Sequence, residues 1–223
     1  MLDVHAPHHP ANGVRDFFLH LFTITIGLLI AVGIEGLVER HQHRETAEAA
    51  RQNLRAEIKS NADSLDDALK TIKKEETIID ADLTEIRHMQ QTKDQHGSLD
   101  GTYRTITLRR TAWKTAQQTG ALAYMPYDEA QRFSDIYDAQ ELFLDQEGKL
   151  MDDSAHFFGI VRRANPDTKD FESKDFADLG ELFGIWQMHL LNLDILAQDA
   201  LEHDKAYLEG REPRGSFNAT MHG

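Results

Sequence analysis

The sequence predicts an all-α protein: a single N-terminal transmembrane helix, followed by a long helix and an antiparallel helical bundle. The residues between positions 17 and 34 carry no charge, and the apolar series after them repeat every three to four residues, the period of a helix. No series alternates with the two-residue period of a strand. The chain accordingly divides into a flexible N-terminal tail (1–16), a transmembrane helix (17–38), a helical bundle domain (39–210) and a flexible C-terminal tail (211–223).

The composition favours one soluble domain beside the membrane segment. The chain has 223 residues and a formal net charge of -14, and the part outside the apolar run is long enough for one hydrophobic core. An acidic surface repels the phosphates of nucleic acids and the headgroups of anionic lipids, so we expect neither as a partner. The chain has no cysteine, which excludes disulfides and zinc–thiolate sites.

The uncharged run is long enough to cross a lipid bilayer. At about 1.5 Å per residue, residues 17–34 span about 27 Å as a helix, close to the roughly 30 Å hydrocarbon core. The helix completes the crossing at Val38 if the Glu35 carboxylate extends toward the headgroups. A cleavable signal peptide is the alternative, with Arg15 before the apolar run and Ala31-Val32-Gly33 as its cleavage site. Because the helical pattern continues past that site, we expect a retained anchor.

One face of the predicted transmembrane helix combines small and polar residues. We predict it to be an interaction face, formed by His20, Thr23, Gly27, Ala31 and Glu35. Small residues four apart allow another helix to approach closely, and the polar members are hidden from lipid only if something covers them. The alternative is that Gly and Thr are simply common in membrane helices. We expect the face to pack against transmembrane helices of other membrane subunits.

Two rules disagree about the side of the membrane on which the bundle lies. Arg40, Arg44, Arg51 and Arg55 follow the span and outnumber Arg15 before it, which favours a cytoplasmic bundle. Long domains, however, are translocated largely regardless of charge, and short N-terminal tails of anchored bacterial proteins usually stay inside. We expect a protein of the bacterial inner membrane with a periplasmic bundle.

A long helix follows the span, because no glycine or proline interrupts residues 38–95. Apolar residues recur there at alternating spacings of three and four, which predicts a coiled-coil-like seam. The seam consists of Leu54, Ile58, Ala62, Leu65, Leu69, Ile72, Ile79, Leu83 and Ile86. Such a seam also supports a homo-oligomer formed through the long helix.

Glycine, proline and capping residues mark the remaining elements. A loop is expected at residues 96–101, and helices at residues 103–119, 127–164 and 174–209, the last with Ser173 as its N-cap. The last helix carries an unbroken apolar series, which predicts burial in an antiparallel bundle. That series is Leu179, Phe183, Trp186, Leu190, Leu193, Ala197 and Ala200.

Four stretches within residues 14–145 carry a resemblance to known proteins. They are TITIGLLIAVGIEGLVE, LRAEIKSN, TAWKTAQQTGAL with Trp113 and Gly120, and FSDIYDAQELF with Tyr137. The chain resembles, through them, a family of uncharacterised Gram-negative bacterial proteins that have one N-terminal membrane span and a helical soluble domain. The resemblance implies the same topology. Because that family has no assigned reaction, the resemblance implies no catalytic or cofactor-binding residue.

Some of the histidines are candidate metal ligands, but the residues around them do not indicate a metal site. Glu85 with His88, and Asp153 with His156, have the spacing of ligand pairs in di-metal bundles. Glu85 and His88 flank the seam residue Ile86 and are expected mostly in solvent, and the additional glutamate ligands have no candidates. We therefore expect no metal site. The tail cluster of His5, His8 and His9 is expected to be a flexible segment.

A histidine inside a membrane span can also bind haem or chlorophyll. His20 has this position, but Asp16 lies where light-harvesting helices usually place a small residue four positions earlier. We expect His20 to donate or accept a hydrogen bond with a neighbouring subunit instead, and we expect no cofactor.

No phosphate-binding loop, nucleophile elbow or Ser/His/Asp arrangement is found in the sequence. We therefore expect no enzyme and no catalytic residue. The expected function is that of a non-catalytic accessory or assembly subunit of a larger bacterial inner-membrane complex of respiratory or photosynthetic type. The alternative is a membrane-anchored helical sensor or ligand-binding domain that acts through a partner.

Overall fold

The computed structural model describes residues 13–92, 97–164 and 171–214. The described residues contain four α-helices, one short 3₁₀ helix and no strand, which confirms the predicted all-α class. The α-helices are α1 (Gly13–Thr92), α2 (Thr111–Gln118), α3 (Tyr127–Arg163) and α4 (Ser173–Glu209), and the 3₁₀ helix is Ala121–Tyr124.

The chain divides into two compact units, Met1–Ala49 and Ala50–Gly223. In the first unit, α1 contains a stretch near the N-terminus that is long and apolar enough to cross a membrane, and none of that stretch is buried. The helix begins at Gly13, so the last four residues of the predicted flexible tail are helical, which corrects that boundary. The remainder of the predicted tail, residues 1–12, lies outside the described residues.

The second unit has one hydrophobic core, to which α1, α3 and α4 all contribute. Of the nine predicted seam residues of α1, only Leu69 and Leu83 are partly exposed, and both still pack against the core. The apolar series predicted for α4 is completely buried. Because residues of the chain itself bury the α1 seam, pairing with a second copy would have to use another surface.

Side-chain contacts give the relative directions of α3 and α4. Arg163 at the end of α3 pairs with Asp175 at the start of α4 at 2.6 Å. Toward the opposite ends of the two helices, the Gln140 amide of α3 donates to Asp204 of α4 at 2.8 Å. The two helices are therefore antiparallel.

The contacts between α1 and α3 have the opposite sense. Arg51 of α1 pairs with Glu129 near the start of α3 at 2.6 Å. Further along both helices, the Asn61 amide of α1 donates to Gln140 of α3 at 2.9 Å. The two helices therefore run in the same direction, and the chain must return along the bundle between them.

The return is made by residues 97–110, which are not helical and which we call the connecting segment. Two of its backbone N–H groups donate to side chains of α1. That of Asp100 donates to Asp82, and that of Arg109 donates to Asn61. The distance from residue 82 to residue 61 along a helix is about 32 Å at 1.5 Å per residue. Nine residues cover about 30–32 Å only when they are nearly fully extended.

The predicted helix at residues 103–119 is therefore wrong in its first half. Only Thr111–Gln118 is helical, because a helix from residue 103 onward would advance too little to follow α1. The end of this helix is as predicted: Gly120 lies just beyond it with φ 70°, in the left-handed region that favours glycine. Within the predicted loop, residues 97–101 are non-helical and His96 lies outside the described residues.

The structure differs from the prediction at both ends of α4. The N-cap lies one residue earlier, and the start of the predicted C-terminal tail contacts the helix. Glu172, not Ser173, is the N-cap, and it forms a capping box with Asp175. Gly210 ends the helix with φ 69°. Beyond it, Arg211 and Arg214 both bond to Glu202, so the first four residues of the predicted flexible tail are held against α4. Residues 215–223 lie outside the described residues.

Candidate functional site

The first candidate site is the apolar surface of α1 in the first unit. Between Phe17 and Val38, the large apolar side chains expose from 40% to 69% of their surface. They point in every direction around the helix, so no side of it is shielded by the described residues. An exposed apolar surface of this extent is unfavourable in water and is typical of a membrane or protein contact site.

The predicted interaction face lies within this surface. At about 100° per residue, its five members lie within an arc of about 120° on one side of the helix. All five are exposed: His20, Thr23, Gly27, Ala31 and Glu35. A Cβ atom added at Gly27 would have no described atom within 4 Å beyond its own helical backbone. The small residues therefore leave a shallow surface along the helix, which no described side chain fills.

In the second unit, buried acidic side chains hold the connecting segment. The Asp82 carboxylate accepts the backbone N–H of Asp100 at 3.0 and 3.1 Å. Burial raises the pKa of Asp82 to about 6, although this hydrogen bond opposes the shift. Further along the segment, Glu147 of α3 accepts the backbone N–H of Ile106 and the hydroxyl of Tyr103. Burial likewise raises the pKa of Glu147.

A third buried acid, Glu57 of α1, caps the start of α2. Its carboxylate accepts the backbone N–H groups of Ala112 and Trp113 at 2.8 and 3.2 Å, and the Tyr137 hydroxyl at 2.8 Å. The first N–H groups of a helix have no partner within that helix, and α2 has no side-chain cap of its own. Glu57 therefore supplies the cap from a different helix. Its carboxylate also interacts favourably with the dipole of α2.

Replacing Glu57 with alanine should destabilise the second unit strongly. Glu57→Ala leaves the two N–H groups and the Tyr137 hydroxyl without their acceptor, and we expect the free energy of unfolding to fall by on the order of 3 kcal/mol. Urea denaturation monitored by tryptophan fluorescence measures the change. Asp63→Ala is the matched control, because Asp63 is an exposed acid on the same helix. A loss no larger than that of the control would contradict the capping role.

Sequence reasoning missed these acids, although one signal was present. Asn61, Glu75 and Asp82 are separated by multiples of seven and so lie along one line of α1, next to the apolar seam. All three are buried. This polar series has the same period as the apolar seam. It could have indicated that a non-helical segment, whose backbone needs hydrogen-bond partners, lies along this side of α1.

The candidate metal ligands are not brought together. Asp153 contacts His189 of α4 at 2.6 Å instead of forming a metal-ligand pair with His156. His88, of the other predicted pair, is exposed. Across the described ranges, no group of three or more His, Cys, Asp or Glu side chains is arranged to hold a metal ion. The tail histidines His5, His8 and His9 lie outside those ranges.

Comparison with known proteins adds no family to these observations. No protein-family model, curated protein or solved structure matches the chain. The functional argument therefore depends on the two features described above: the exposed apolar surface of α1, and the buried acids that hold the connecting segment.

Proposed function

We propose that the protein is a membrane-anchored, non-catalytic accessory or assembly subunit of a larger bacterial inner-membrane complex, of respiratory or photosynthetic type. The observation that carries this proposal is the apolar stretch of α1, which is exposed on all sides and has small and polar residues along one face. We propose a periplasmic bundle, because long domains are translocated largely regardless of the charge beside the span.

The polar groups in the apolar stretch are compatible with a lipid environment. A helix satisfies its own backbone hydrogen bonds, which a hydrocarbon core requires. The hydroxyls of Thr23 and Thr25 donate to the carbonyls of Leu19 and Leu21 at 2.9 and 2.8 Å. Neither threonine therefore brings an unsatisfied donor into the bilayer.

The interaction face is where a partner helix would bind. Association of helices in a bilayer depends on close packing and hydrogen bonds between them, because lipid is as apolar as the side chains. Gly27 and Ala31 allow close approach of the backbones. His20 and Glu35 offer hydrogen-bonding groups that are costly to leave facing lipid. A transmembrane helix of another subunit would satisfy both conditions.

The chemistry of the second unit supports a non-catalytic role. Three of its buried acids, Glu57, Asp82 and Glu147, are of a type that a catalytic site would draw on. Each of them instead accepts backbone N–H groups of the connecting segment or of α2. The fold thus explains the positions of these three acids, and we assign the bundle the role of a docking surface or brace.

Gly27→Leu tests the proposal directly. Because a Cβ atom at Gly27 would have no described atom beyond its own helical backbone within 4 Å, this variant should fold normally yet separate the helix from its partner. Full-length protein purified from membranes in mild detergent should then lose the proteins that co-purify with the wild type. Mass spectrometry of the purified material identifies and quantifies them.

The matched control is Leu29→Ala, which alters an exposed residue of the same helix away from the interaction face. It should retain the partners. Equal recovery of the same proteins with both variants would show that the face contacts lipid only, and the accessory-subunit proposal would lose its support.

A further inference from the structure

A chain of amide hydrogen bonds crosses the core of the second unit and has a fixed direction. It begins at the backbone of Arg109, whose N–H donates to Asn61 Oδ1 at 2.8 Å. The Asn61 Nδ2 donates to Gln140 Oε1 at 2.9 Å, and the Gln140 Nε2 donates to Asp204 Oδ1 at 2.8 Å. A backbone N–H can only donate, so it determines the orientation of both amides. Asp204 Oδ1 must therefore be an acceptor.

The other oxygen of Asp204 is in an unusual situation for a carboxylate. Asp204 is 0% exposed, and its Oδ2 is buried with no hydrogen-bond partner among the residues that the structure describes. No ion pair to Asp204 exists among the described residues, and the neighbouring cation Lys205 pairs with Asp66 at 3.1 Å. A buried, uncompensated charge is very unfavourable, whereas a proton on Oδ2 removes it and leaves Oδ1 free to accept from Gln140.

We propose that Asp204, Gln140 and Asn61 form a proton-dependent latch, which holds α4 against α3 and α1 while Oδ2 of Asp204 carries a proton. Loss of that proton places an unpaired charge in the core and loosens the C-terminal half of α4. The latch joins all three long helices and the connecting segment, so its state affects the whole second unit.

The groups that face Asp204 do not offset a negative charge there. From α3, Tyr137 is buried, and its pKa is raised by burial and further by Glu57 and Asp204. From α1, Glu57 accepts the Tyr137 hydroxyl and is itself an acid, and Asn61 is neutral. Arg109 joins the chain through its backbone, and its side chain is exposed. In agreement, burial raises the pKa of Asp204 to about 8, opposed only by the Gln140 hydrogen bond.

The direction of the pH effect follows from this. In the unfolded chain an aspartate ionises near pH 4, while Asp204 in the folded protein keeps its proton to about pH 8. Between these values unfolding releases a proton, so the stability that Asp204 contributes is complete below about pH 4 and is lost as the pH rises toward 8. Above about pH 8 both states are ionised, and the contribution no longer changes.

The test compares the full-length wild type with Asp204→Asn in detergent micelles, by urea unfolding followed through Trp113 and Trp186. Asparagine keeps an acceptor for Gln140 and cannot ionise. The unfolding equilibrium constant of the wild type, relative to that of the variant, should rise by up to about tenfold per pH unit from about pH 5 to pH 8 and then stay constant. Asp199→Asn, a partly exposed position on α4, should follow the wild type.

A ratio that does not change between pH 5 and 8 would overturn the proposal. Infrared spectroscopy of the wild type gives a second result that does not depend on any variant. The absorption band of a protonated carboxyl group should be present at pH 7 and absent by pH 9. Spectra without this change would equally overturn the latch.

Discussion

Deletion of residues 1–39 should convert the protein from a membrane-bound form to a soluble, folded and helical one. The deletion removes the whole exposed apolar stretch, and the remaining chain has no second uncharged run of that length. Its nearest competitor, residues 179–197, is interrupted by polar residues, and its apolar series is buried in the bundle. Fractionation of cells into membrane and soluble parts, followed by circular dichroism of the soluble protein, measures the effect.

A deletion of residues 1–12 alone is the matched control, since it leaves the apolar stretch intact and should remain in the membrane fraction. The single-anchor interpretation would be wrong if the longer deletion still sedimented with membranes after a high-salt wash. It would also be wrong if the released protein had lost its helical spectrum.

Gly101→Ala should destabilise the second unit, because the added methyl group overpacks its core. An added Cβ would lie 1.8 Å from Cδ1 of Phe157, which is a buried ring and cannot move aside freely. The Gly101 carbonyl also accepts the Ser154 hydroxyl at 2.6 Å, which holds the segment close to α3. Overpacking of this kind typically costs about 1–3 kcal/mol, and the measurement is the urea midpoint of the full-length protein in micelles.

Gly148→Ala provides the control for the chemical change itself. Gly148 lies in the interior of α3, and a Cβ there would have no atom within 4 Å. The substitution should leave stability unchanged or raise it by about 0.5–1 kcal/mol, because alanine favours the helix. If the two variants unfolded at the same urea concentration, the close approach of the connecting segment to Phe157 would be contradicted.

The three long helices could be predicted because their signals are local. The apolar seam of α1 and the series in α4 have a helical period, and Pro126 and Gly210 mark the start of α3 and the end of α4. The predicted interaction face in the first unit also depends only on the spacing of its five residues along one helix, and its role in binding stays a prediction. Such patterns are complete within a few turns, so no distant residue has to be known.

The connecting segment could not be predicted from its own residues. Tyr103 to Arg110 precedes a true helix without an intervening glycine or proline, and it was expected to be part of that helix. Its conformation is decided by acceptors from other elements, such as Asp82 and Glu147, and by the distance it has to cover along α1. These acids are ordinary surface residues by composition, and only the packing of the helices buries them.

The sequence by itself determined the all-α class, the apolar stretch of α1 and the side chains that enter the core, because each is a matter of periodicity. The tertiary structure alone decided which polar side chains are buried and what they bind. Asn61 forms a hydrogen bond with Gln140, which lies 79 residues away in the sequence, and Gln140 forms one with Asp204, which lies 64 residues further on. Burial by this packing raises the pKa of Asp204 to about 8, because the packing removes water and supplies no cation, although the Gln140 hydrogen bond opposes the shift.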